Sequence, residues 1–87
     1  MRVKQDYLLR EVADTYVVVP TGNAALDFSG MITLNETGAF LWKQLVTDRT
    51  EEELIQMLLE EYYIDEATAT LDLKEYISKL KAADLFE

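Results

Sequence analysis

The stretch Leu34-Asn35-Glu36-Thr37-Gly38-Ala39-Phe40-Leu41-Trp42 constrains this chain more than any other, because the hydrophobic period changes across it. Up to Leu34 apolar residues alternate as in a strand, with Ile32 and Leu34 on one face and Thr33 on the other. From Ala39 onward they recur at helical spacing. Asn35 stands between the two, a residue whose side chain accepts from the orphan N–H groups of a new helix. A chain divided in this way reads as α+β, with a small antiparallel sheet first and helices after it.

The first half holds three strands, with room for a fourth short one. Tyr7-Leu8-Leu9-Arg10-Glu11-Val12-Ala13 and Thr15-Tyr16-Val17-Val18-Val19-Pro20 are rich in strand formers and meet at Asp14, which predicts a tight antiparallel turn. Pro20 ends the second strand. Thr21-Gly22-Asn23 turns the chain, 24–28 is a candidate short strand, and Ser29-Gly30 is another turn before Met31, Ile32, Thr33 and Leu34. Two segments, 24–28 and 31–34, thus compete for the outer edge. The second is short, apolar and free of proline.

The second half predicts helices over about 36–46, 51–63 and 66–82. Ala39, Leu41, Trp42 and Leu45 line one side of the first, which makes Trp42 a packing residue. Thr50 and Glu53 form a capping box at the start of the second, followed by Leu54, Met57, Leu58 and Tyr62 on one stripe. Tyr62 and Tyr63 read as a packed corner. Asp65 is the candidate cap of the third helix, whose inward stripe is Ala69, Leu73, Tyr76, Ile77 and Leu80. Short connections then give a winged-helix-like, three-helix unit packed on the strands, a single domain over 1–87.

Composition narrows the function. The chain has no cysteine and no histidine, which removes thiolate nucleophiles, the usual zinc ligands and the commonest proton-transfer group. It is expected to carry no cofactor, no metal and no catalysis of its own. No apolar run is long enough to cross a bilayer and no signal peptide precedes Tyr7, so a cytoplasmic, membrane-free location is expected. The net charge of −9 lies almost wholly in the helices, since the residues through Leu34 carry four acids against three bases. Acidic clusters at Glu51-Glu52-Glu53 and Glu60-Glu61 repel a phosphate backbone and read as solvated helix faces.

Leu34-Asn35-Glu36-Thr37-Gly38-Ala39 with Leu41-Trp42, then Thr50-Glu51-Glu52-Glu53-Leu54-Ile55, Tyr63-Ile64-Asp65, Asp72-Leu73, Tyr76-Ile77 and Leu80 together resemble the PqqD-like family in order and spacing. One departure is Ala83-Asp84-Leu85, where such domains often carry glycine before the last leucine. The resemblance implies a non-catalytic accessory that binds the leader segment of a ribosomally made precursor peptide and presents it to a modifying enzyme. In the best-known members that enzyme is a radical S-adenosylmethionine protein acting in pyrroloquinoline quinone synthesis. The leader adds a strand to the open sheet edge and presses apolar side chains against the third helix. A winged-helix regulator binding nucleic acid is the alternative, and it asks for a basic helix where this chain begins Glu51-Glu52-Glu53.

Mapped onto this chain, the peptide-binding residues are Met31, Ile32, Thr33 and Leu34 on the edge and Asp72, Tyr76 and Lys79 on the third helix. Those last three form one row at i, i+4 and i+7, an aromatic between opposite charges. An ordinary intrahelical ion-pair arrangement is the other reading of that row. Thr70, Lys74 and Lys81, on the opposite margin of the stripe, are the substitute set.

Overall fold

The hairpin around Asp14 is closed by only two residues. In a computed structural model that describes residues 1–22 and 32–87, strand β1 (Tyr7–Val12) pairs antiparallel with β2 (Thr15–Pro20) in the register Val12↔Thr15. Ala13 takes φ 57, the left-handed conformation that such turns require and glycine usually supplies. Strand β3 (Ile32–Leu34) pairs with the other side of β2 through Val18↔Ile32, Val17↔Thr33 and Tyr16↔Leu34. Among the described residues the sheet order is β1-β2-β3, which leaves β3 on an edge. The expected 24–28 strand, the Ser29-Gly30 turn and Met31 lie outside the described residues.

Helix α1 (Glu36–Gln44) begins where the period changes. The Asn35 side chain accepts from Gly38 N–H at 2.8 Å, so the cap read from sequence is made. The helix stops two residues short of the expected Val46, because Leu45 N–H bonds both Leu41 and Trp42 carbonyls at 3.0 Å and the last turn tightens. Helix α2 (Glu51–Glu61) carries the full capping box: Glu53 N–H donates to Thr50 Oγ1 at 3.1 Å and Thr50 N–H to Glu53 Oε1 at 3.0 Å. It ends at Glu61 rather than Tyr63, since Tyr62 turns extended at φ −124, ψ 152. Successive extended residues point opposite ways, so only half of the expected aromatic corner is packed. Tyr62 meets Phe40 edge-on at 5.7 Å, while Tyr63 is fully exposed.

Helix α3 (Glu66–Ala82) starts at Asp65, which has the extended backbone of an N-cap but closes no side-chain capping bond. Its far end solves the missing-glycine problem with Asp84 itself at φ 58. Leu85 N–H bonds Leu80 O and Asp84 N–H bonds Lys81 O, both at 3.0 Å, and Leu80 and Leu85 are both fully buried. That is a Schellman ending with its apolar contact, formed without glycine.

Trp42, Leu41, Leu45, Leu54, Leu58, Leu73, Leu80, Leu85 and Val18 are the largest fully buried side chains. Strand β2 and the three helices supply seven of them, with Leu45 and Leu85 just past the ends of α1 and α3, which places the core between the inner face of the sheet and the three helices. The chain ends join it as well. Val3 is buried and bridges Phe86, and Lys4 N–H donates to Leu85 O at 2.8 Å. Among the described residues, no helix is long and apolar enough to cross a membrane.

Candidate functional site

Hairpin geometry decides which way the backbone of β3 points. A two-residue turn makes Val12 and Thr15 exchange both their backbone hydrogen bonds, and such pairs alternate along an antiparallel ladder. Arg10↔Val17 is therefore a bonded pair, and the polar groups of Val17 face β1. The same alternation reaches Thr21, whose N–H donates to Asp6 O at 2.7 Å. Thr33 sits opposite Val17 on the other side of β2 and finds no backbone partner there. Its N–H and C=O consequently face out from the sheet. Lys79 bears this out, since its ammonium donates to the Thr33 carbonyl at 3.3 Å from α3.

Between the end of β3, the first turns of α1 and the exposed side of α3 runs a groove of about 330 Å³. Leu34, Gly38, Leu41 and Tyr76 make its floor and wall, and Asn35, Thr37, Asp72, Glu75 and Lys79 its borders. Leu34 and Leu41 are buried, whereas Asp72, Glu75 and Lys79 are exposed. A trough floored by Leu34, Leu41 and Tyr76 with polar and charged margins is a form that a side-chain pocket takes beside a strand edge.

Tyr76 is the side chain that holds this trough in shape. Its hydroxyl donates to Gly38 O at 2.8 Å and its ring lies against the first turn of α1. Gly38 is needed for that approach: a Cβ there would sit 3.2 Å from Tyr76 Cε1, 3.2 Å from Asn35 Oδ1 and 3.3 Å from Leu34 Cβ. Burial pushes the Tyr76 hydroxyl well above the ordinary tyrosine range, so it stays a donor. The residue is thus both groove wall and strut between α3 and α1.

Of the residues singled out from sequence, Leu34, Asp72, Tyr76 and Lys79 meet in this one groove, and Thr33 joins them through Lys79. Ile32 is half-buried against the core, and Met31 lies outside the described residues. In the substitute set, Thr70 and Lys74 border a separate, shallower depression with Leu71. Sequence reading passed over Asn35, Thr37, Gly38, Leu41 and Glu75 as lining residues. Glu75 was the accessible one, because it follows Asp72 by three positions on the same helix face.

The sequence pattern of the family described as coenzyme PQQ synthesis protein D (PqqD) matches residues 8–85. Two solved structures share the fold. TbiB1 in complex with the TbiA(beta) leader peptide is 21% identical, with a TM-score of 0.77 over 100% of this chain and 95% of that one. Lasso peptide synthetase B1 complexed with the leader peptide is 18% identical, with a TM-score of 0.73 over 97% of this chain and 93% of that one. No curated protein sequence matches the chain.

Proposed function

This chain belongs to the PqqD family, and from that premise we propose that it binds the leader segment of a ribosomally made precursor peptide and presents it to a modifying enzyme. The observation that carries this reading is the outward N–H and C=O of Thr33 beside a groove floored by Leu34, Leu41 and Tyr76. An extended peptide laid along β3 takes both groups into a new ladder, and every second side chain of it drops toward Leu34, Leu41 and Tyr76. Backbone bonds supply affinity that is independent of sequence. The groove supplies the choice of side chain.

The chain's own part in maturation is to raise the local concentration of precursor at the enzyme, and it does no chemistry itself. The absence of histidine and cysteine from the sequence supports this, and a radical S-adenosylmethionine protein is the partner that the family suggests. Nucleic acid is disfavoured by the first turn of α2, which presents Glu51, Glu52 and Glu53 where a phosphate backbone needs cations.

Isothermal titration with leader segments from short reading frames that flank the gene tests the proposal, with duplex DNA as the comparison. A dissociation constant of about 1 μM or tighter, near −8 kcal/mol, is expected for one leader and no saturable binding for DNA. Thr33→Pro removes the outward N–H and should weaken the leader while the emission of buried Trp42 confirms the fold. Tight DNA binding with no leader bound would overturn the proposal.

A further inference from the structure

Lys79 makes an unexpected choice of partner. Glu75 lies one turn before it, the spacing at which helical ion pairs form, yet the Lys79 ammonium lies on the Thr33 carbonyl. Among the described residues the ion pairs are Met1–Asp48, Arg2–Glu87, Lys4–Asp84 and Arg49–Glu53, so neither Asp72 nor Glu75 has a cation. The α3 side of the groove is therefore graded along its length. The unpaired Asp72 stands at one end, Tyr76 in the middle with the unpaired Glu75 level with it, and at the other end an ammonium covers the carbonyl that an incoming strand needs.

Resting on the leader-binding reading above, we infer that the groove selects a leader segment in which an apolar residue is flanked two positions to one side by Lys or Arg and two positions to the other by Asp or Glu. The exchange at Thr33 requires the acid. When a leader N–H takes over the Thr33 carbonyl, the Lys79 ammonium loses its acceptor and turns to whatever anion the leader brings beside it. Asp72, with Glu75 beside it toward the middle, requires the base, since a second acid laid there is repelled. Spacing follows from the two rises. Asp72 to Tyr76 spans about 6 Å of helix and Tyr76 to Lys79 about 4.5 Å. Same-face residues of a strand are about 6.7 Å apart, a difference that flexible side chains absorb.

Selection of a displayed library of random dodecapeptides on the purified protein tests this without knowledge of the natural leader. Binders should converge on the base–x–apolar–x–acid spacing in one chain direction, and a synthetic peptide with the two charges exchanged should bind about tenfold more weakly at low salt. Asp72→Asn with Glu75→Gln should relax only the basic position, and Lys79→Met only the acidic one. All three side chains are exposed, so the variants fold. Hydrogen exchange at the Thr33 amide reports the edge itself. Binders that slow it but carry no charge pattern overturn the inference and leave leader binding standing. A selection in which no binder slows it overturns both.

Discussion

Tyr76→Phe separates the two roles of the residue at the centre of the groove. The ring and its contacts with Gly38 remain, and only the hydroxyl that donates to Gly38 O at 2.8 Å is removed. The carbonyl sits in the first turn of α1 and keeps its helical partner, so no buried acceptor is orphaned. The loss is then that of one net hydrogen bond, about 1 kcal/mol. For a chain of this size that lowers Tm by roughly 4–8 °C. The pH dependence sharpens the test. Burial raises the Tyr76 hydroxyl above its unfolded value near 10, so the folded state keeps a proton that the unfolded state gives up. Its contribution is complete below about pH 10 and declines as pH rises further, at about 1.4 kcal/mol per unit. The phenylalanine variant lacks that decline, and the two stabilities should converge near pH 11. Urea unfolding followed by the emission of buried Trp42 measures both proteins across the range. Because the wall survives, leader affinity should stay within about twofold, whereas Tyr76→Ala should lose stability and affinity together. Equal stabilities at pH 7 that run parallel up to pH 11 would refute the assignment of Tyr76 as a strut.

Gly38→Ala sets a helix-propensity gain of under about 1 kcal/mol against three contacts of 3.2–3.3 Å, one of them to the capping oxygen of Asn35. A net loss of about 1 kcal/mol is expected, read as a lower Tm. Asp84→Gly frees the φ 58 position and should stabilise by about 1 kcal/mol. The gain should persist in high salt, because the Lys4–Asp84 bridge it removes is exposed. Thr50→Ala deletes the acceptor for Glu53 N–H and should cost about 1 kcal/mol in urea unfolding. The bond from Thr50 N–H holds the Glu53 carboxyl below its ordinary range, so its stabilisation is present above about pH 4.3 and lost as pH falls. Glu53→Gln should flatten that acid limb.

What the residues announce by themselves is whatever is settled within one turn or one strand. Alternation places the first hairpin, Asn35 and the Thr50–Glu53 pair mark two helix starts, and the stripe from Ala69 to Leu80 gives the buried face of α3. These depend on neighbours at most four positions apart, and a linear reading contains all of them. The same locality explains why α1 and α2 end two residues short of expectation, since both stop without glycine. The third helix ends at Ala82 as expected, and Asp84 adopts φ 58 because buried Leu80 and Leu85 compel the ending.

Tertiary structure alone brought the residues of the candidate groove together. A helical stripe has two margins of equal standing, Asp72, Tyr76 and Lys79 on one and Thr70, Lys74 and Lys81 on the other, and periodicity is symmetric between them. The symmetry breaks only when α3 is laid beside β3, which brings Lys79 to Thr33 across 46 positions and Tyr76 to Gly38 across 38. The outward aim of Thr33 is equally remote, for it follows from a turn at Ala13 passed strand to strand through the register. Sequence determined which elements exist and which faces they bury, because those are short-range energies. Which margin meets which edge is a matter of packing and handedness among elements far apart in the chain, and no window along it contains that information.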